Sequence, residues 1–178
     1  GAVRVNSTYD DTGCMTLDEK KICNFDQKAR GVIPMQEILN QSLNMGAATV
    51  AMKTGSTEYV QYLTSFGVTS KSGIDLPNEA SPLTSSLKKP KDIDIATASY
   101  GQGIALSPMG MIRALSVIAN GGYLIRPHLV REIEYSDGRV ETTEIVQEGP
   151  VLKPETVDDV RRMLVTVVDD ALAGGAIK

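Results

Sequence analysis

The chain has 178 residues, 42% hydrophobic and 22% charged, enough apolar material for one core of ordinary domain size or for part of a larger one. A net charge of -4 and a pI near 5.1 exclude the basic footprint of a nucleic-acid binder. One histidine, His128, excludes a multi-histidine metal site, and two cysteines cannot complete a four-ligand zinc site.

Residues 1–30 are polar and broken by Gly13 and several aspartates, a pattern for loops with short strands. Cys14 and Cys23 flank the polar stretch Met15–Ile22. Two free, partly buried thiols are the first expectation, because cross-strand disulfide geometry is demanding. The alternative is a turn between two short strands, with the cysteines facing each other as a disulfide in an oxidising compartment. Pro34 opens a helical pattern through Met35, Ile38, Leu39 and Met45, continued by Ala47, Ala48 and Ala51 and stopped by Gly55. A second helix is expected over Thr57–Ser65, capped by Ser56 or Thr57. Gly67–Pro90 reads as a connecting stretch rich in Ser, Gly and Pro.

Ser107-Pro108 has the chemistry of an N-cap and a first helical residue. Met111, Ile112, Leu115 and Ile118 form the expected apolar stripe, and Asn120-Gly121-Gly122 the stop. Strands are expected at 123–125, 130–135 and 140–146, with Asp137-Gly138 as a hairpin turn. Pro154 begins a last helix with Val157, Val160, Met163, Leu164, Val167 and Val168 on one side and Gly174-Gly175 at its end. The class is mixed α+β, helices first and a strand group after. No stretch approaches the roughly 20 apolar residues of a membrane helix, and no signal-peptide pattern opens the sequence.

Two segments stand out, Gln41-Ser42-Leu43-Asn44-Met45-Gly46 and Ser99-Tyr100-Gly101-Gln102-Gly103 with Ser107-Pro108 following. Between them lies Gly73-Ile74-Asp75-Leu76-Pro77, and beyond them Asn120-Gly121-Gly122 and Arg126-Pro127. This succession resembles the transpeptidase domain of penicillin-binding proteins, most of all the monofunctional class B enzymes. The resemblance covers nearly the whole chain and is firmest from Gly31 to Pro127. It implies a helical lobe with a few antiparallel strands, part of the penicillin-binding and serine β-lactamase-like fold. It also implies a serine acyltransferase built from S-x-x-K, S-x-N and K-T-G elements. A serine hydroxyl is a poor nucleophile near neutral pH and needs a base beside it, here a lysine one helical turn away. By resemblance, Ser42 relays a proton to the leaving amine and Asn44 orients the substrate amide and the lysine. The bland alternative is that both merely break a helix or cap its next segment. Gln102 lies in a loop that borders the substrate cleft in the family, and is the candidate substrate contact.

No Ser-x-x-Lys precedes Ser42 in these residues, so the nucleophile is expected before Gly1 and the K-T-G strand beyond Lys178. Both ends read as cuts, making residues 1–178 the middle of a transpeptidase domain, inactive alone. Two letter matches are refused. Ser85-Ser86-Leu87-Lys88 follows S-x-N and runs into Lys89-Pro90, a loop rather than a rigid helix start. Lys53-Thr54-Gly55 closes a helix, whereas K-T-G belongs on a strand. His128 and Lys88–Lys91 read as surface or packing features, and the pairs Asp158-Asp159 and Asp169-Asp170 as an exposed helix face.

The resemblance implies a membrane-anchored D,D-transpeptidase acting outside the cytoplasmic membrane on stem peptides ending in D-Ala-D-Ala. It implies β-lactam binding, partners in the cell-wall synthesis machinery, no nucleic acid, and neither metal nor organic cofactor. A β-lactam-sensing receptor and a non-catalytic scaffold of the same fold are the alternatives. Strand edges left unpaired in the 178 residues would favour a dimer.

Overall fold

The computed structural model describes residues 2–171 and divides into two units. The first takes the residues up to Gln61, Thr84–Ile104 and those from Asp158; the second takes Tyr62–Leu83 and Ala105–Val157. The class is α+β, with four separate two-stranded antiparallel sheets among the described residues.

In the first unit β1 (Thr8–Asp11) pairs with β4 (Gly31–Pro34). Strands β2 (Cys14–Leu17) and β3 (Lys20–Cys23) form a hairpin. Its turn residues Asp18 and Glu19 have φ of 46° and 62°, the left-handed pair that suits the twist of a two-residue hairpin. The register sets Cys14 opposite Cys23, and the two are joined as a disulfide. The expectation of free thiols is therefore corrected: the intervening stretch is a tight turn that brings both Cβ atoms to one face. The short strands expected within residues 1–30 are present and precede the helices, so only the summary order of helices first is corrected.

The single helix expected from Pro34 to Gly55 is two. Pro34 closes β4, and α1 (Gln36–Asn40) and α2 (Asn44–Thr54) are separated by Gln41–Leu43. Gly55 ends α2 with φ 85°, and α3 (Ser56–Ser65) follows. A short 3-10 turn covers Ser85–Lys88, where a loop was expected. Then comes α4 (Asp92–Ala98), which packs on α2 and had no sequence expectation. Its seven residues are too few to show a period, and much of its contact is made by small side chains: Ala48 and Ala96 are both 0% exposed. The N–H of Lys91 donates to Asp94 Oδ2, half of a capping box. Ile22 and Ile93 complete this cluster, with Met15, Leu17 and Tyr100 packed against it. A second cluster gathers Tyr9, Met35 and Leu43 with Val3, Ile33, Ile38, Val50 and Met163.

In the second unit α5 (Pro108–Ala119) begins as expected, Ser107 Oγ accepting from the Gly110 N–H at 3.0 Å. Its buried side is not the expected stripe. Met111, Ile112 and Leu115 are exposed, while Gly110, Arg113, Ala114 and Val117 face inward. Arg113 turns in because its guanidinium meets the Lys71 carbonyl and Glu148 Oε1, both at 3.3 Å. Strands β5 (Leu124–Ile125) and β8 (Gln147–Glu148) pair, as do β6 (Glu132–Glu134) and β7 (Val140–Thr142) across the Asp137-Gly138 turn. The last helix, α6 (Pro154–Thr166), widens into a π turn at Val167–Ala171. Val157 is buried, but Leu164 and Val168 are exposed. The expected stop at Gly174-Gly175 lies outside the described residues.

Candidate active site

Ser42 and Asn44 sit together between α1 and α2, and the local hydrogen bonds explain the turn. The N–H of Leu43 donates to the Ile38 carbonyl at 2.9 Å, and that of Ser42 to Leu39 at 3.4 Å. This is a Schellman ending, which requires its central residue in the left-handed region. Ser42 is that residue, with φ 52°. Leu43, 3% exposed, anchors the turn in the second core cluster beside Ile38, the hydrophobic contact that accompanies such endings. The same backbone figure ends α3 at Gly67 and α4 at Gly101, both glycines with positive φ. Ser42 thus holds a conformation that glycine holds elsewhere in this chain.

The start of α2 is held from outside the helix. Its N-cap position is Leu43, whose side chain offers no acceptor. The free N–H of Met45 is met instead by Asn24 Oδ1 at 3.0 Å. Asn24 Nδ2 donates to both oxygens of Asp11 at 2.9 Å. Asp11, 0% exposed, also accepts from the Gly13 N–H at 2.7 Å and from the Tyr9 hydroxyl at 3.2 Å. Burial first, and then the neighbouring Asp11 charge, push the Tyr9 hydroxyl far above its ordinary value. Asn44 Nδ2 donates to the Cys23 carbonyl at 3.0 Å. That bond fixes the amide plane and leaves Asn44 an oxygen acceptor and a second N–H to offer. The hydroxyl of Ser42 lies on an exposed residue.

Gln102 lies on the loop after α4, and its residue is exposed. Its N–H closes the ending of α4 by donating to Thr97 at 2.9 Å, with Gly101 at φ 84°. Ser86 Oγ donates to the Gly103 carbonyl at 3.1 Å, tying down the next residue of the loop. Both segments are carried by the packed pair α2 and α4, but no hydrogen bond among the described residues joins Gln102 to Ser42 or Asn44. The refused matches stay apart from strand and long-helix geometry. Lys53-Thr54-Gly55 is the end of α2, with Thr54 Oγ1 bonded back to Val50, and Ser85–Lys88 is the 3-10 turn. Asn24, Asp11 and Tyr9 had no sequence expectation. Asp11-Thr12-Gly13 is readable as an Asx turn, yet nothing local signals that Asn24 reaches Met45.

The Gly-Ile-Asp-Leu-Pro segment is a brace within the second unit. Asp75 accepts from the N–H groups of Leu129 and Val130 at 2.7 and 2.9 Å. Glu79 accepts from the Ser72 N–H at 3.0 Å and from Ser107 Oγ at 2.8 Å.

A left-handed serine and an anchored asparagine thus lie two residues apart at a helix head on an α+β scaffold, in the Ser-x-Asn spacing read in the sequence. Residues 1–177 match the penicillin-binding protein transpeptidase domain, and the chain belongs to that family. It is 25% identical over 149 residues to stage V sporulation protein D of Bacillus subtilis, covering 84% of this chain and 23% of that protein. It is 29% identical over 133 residues to a probable peptidoglycan D,D-transpeptidase FtsI of Caulobacter vibrioides, covering 75% of this chain and 22% of that one. Among solved structures, penicillin-binding protein 3 of Mycobacterium tuberculosis complexed with aztreonam shares the fold, with a TM-score of 0.83 and 22% identity, over 96% of this chain and 38% of that one. A peptidoglycan glycosyltransferase of Burkholderia ambifaria gives a TM-score of 0.77 at 26% identity, over 97% of this chain and 51% of that one. The chain spans about a quarter of the length of the curated relatives it matches.

Proposed function

We propose that these residues form the S-x-N-bearing part of a serine D,D-transpeptidase that cross-links peptidoglycan stem peptides ending in D-Ala-D-Ala. A serine on a Ser-x-x-Lys helix before residue 1 attacks the penultimate carbonyl and passes its proton to the lysine. The C–N bond breaks, and the departing D-Ala amine takes a proton through Ser42 Oγ. Asn44 orients the substrate amide and the lysine with the amide atoms that Cys23 leaves free. A K-T-G strand beyond residue 178 aligns the carbonyl in the oxyanion hole. An acceptor amine on a neighbouring stem then attacks the ester and releases the serine. Gln102 contacts substrate at the cleft border, and β-lactams acylate the same serine.

The observation that carries this reading is Ser42, a serine kept where the fold favours glycine, next to an asparagine held by a dedicated acceptor. The disulfide supports a site outside the cytoplasm, to which a membrane anchor elsewhere in the protein would hold it. The related structure complexed with aztreonam supports β-lactam binding. Fluorescent penicillin, read by intact mass, tests the proposal on this chain beside the full-length protein. Label on the full-length protein alone is expected. Label on the 178 residues would point to Ser85 or Ser86 and overturn the placement of the nucleophile. A folded full-length protein that takes no label would favour a scaffold.

A further inference from the structure

We infer that Asn24, held by Asp11, is a positioning residue for the S-x-N turn, acting as a cap in trans for the helix that carries Asn44. The inference rests on the transpeptidase reading above. Residues 23 and 24 grip residues 44 and 45 in succession. The Cys23 carbonyl takes the Asn44 amide at 3.0 Å, and Asn24 Oδ1 takes the Met45 N–H at 3.0 Å. A helix whose own N-cap is leucine leaves its first N–H groups without a local acceptor. Here that acceptor comes from 21 residues earlier in the chain.

The grip is stiff because each member is itself fixed. Asn24 is 2% exposed and its amide spends both Nδ2 contacts on Asp11. Asp11 is 0% exposed and is saturated by donors from Gly13, Asn24 and Tyr9. The Asn24 N–H donates to the Gly13 carbonyl at 2.9 Å, so the two loops are bonded by backbone as well. A buried, fully satisfied network of this kind fixes one arrangement. What it fixes is the rotation of the first turn of α2 and therefore the aim of Asn44. An amide that must meet a substrate and a lysine at hydrogen-bond distance loses about tenfold to a hundredfold in rate when misplaced by around 1 Å.

The test uses full-length protein and separates the binding constant for a labelled penicillin from the first-order acylation constant. Asn24→Ala is expected to lower the acylation constant by about tenfold or more while the binding constant stays within about twofold. Asn24→Asp sets two carboxylates face to face and should be at least as slow. Adding Asp11→Asn to it restores one amide and one carboxylate, and should recover most of the acylation constant. Should Asn24→Ala fail to fold, the exchanged pair carries the test alone. Wild-type acylation in folded Asn24→Ala overturns the inference. So does an exchanged pair that regains the wild-type melting temperature without regaining rate. A wild-type protein that takes no label removes the transpeptidase reading itself, and the inference with it.

Discussion

Placing a residue other than glycine in the left-handed region costs roughly 1–2 kcal/mol, and Ser42 bears that cost at φ 52° while Gly67 and Gly101 avoid it at equivalent helix ends. Strained backbone concentrates where function holds it in place. Ser42→Gly relieves the strain but gives the unfolded chain more freedom. Its thermal stability is expected to equal the parent's or to exceed it by up to about 1 kcal/mol. Acylation of the full-length variant by penicillin should nevertheless fall sharply. A clear loss of stability in calorimetry would show instead that Ser42 is kept for the fold. At this scale Ser42, Asn44 and Gln102 stand out as candidates in the sequence, because those residues fall within contiguous motifs. The sequence hid Asn24 and Asp11, because their bonds to Met45 and to each other span 21 and 13 residues.

Elements were legible where capping chemistry is local. Ser107-Pro108 begins α5, Asp137-Gly138 joins β6 to β7, and Gly55 closes α2. They were not legible where tertiary partners decide. The stripe Met111, Ile112 and Leu115 has helical period, yet Arg113 takes the inward face, where its two terminal nitrogens reach the Lys71 carbonyl and Glu148 while Nε finds no partner among the described residues. The break between α1 and α2, expected only as the bland alternative for Ser42 and Asn44, rests on tertiary partners too: its turn is stabilised by Leu43 and Ile38 in the core, not by a glycine. Close packing behind that break makes a further expectation. A Cβ built on Gly46 would overlap Ile38 Cγ1 and lie 2.7 Å from the Tyr9 hydroxyl. Gly46→Ala therefore forces α2 away from α1 and from the Tyr9–Asp11 pair. Overpacking of this size costs about 1–3 kcal/mol, to be read as a lower denaturant midpoint at unchanged slope. A variant as stable as the parent would mean that α1 and α2 part freely.

For the molecule as a whole, the order of expected helices and strands foretold the α+β class and family resemblance foretold its kind, while the division into two units was not visible. The second unit draws together residues 62–83 and 105–157, and its braces are carboxylates engaged in hydrogen bonds rather than a long apolar run. Those braces set the response to acid. For Glu79, burial alone would raise the carboxyl, but donors from Ser72, Ser107 and Gly73 outweigh it and hold the group below its ordinary 4.5. For Asp75, the N–H groups of Val130 and Leu129 hold the carboxyl below 3.8. A carboxyl lowered in the folded state contributes stability that is complete above its unfolded value and is lost as pH falls through the folded one. The loss should begin near pH 4.5 for Glu79, near 3.8 for Asp75, and deepen below. Melting curves at pH 6 and pH 3, for the parent and for Glu79→Gln with Asp75→Asn, check this. The double variant should melt lower than the parent at pH 6 and lose less on acidification. Some acid loss should remain in it, because Asp26 beside Arg30 and Asp137 beside Arg139 are lowered too. Equal acid losses in the two proteins would mean that Glu79 and Asp75 brace the second unit no better ionised than protonated.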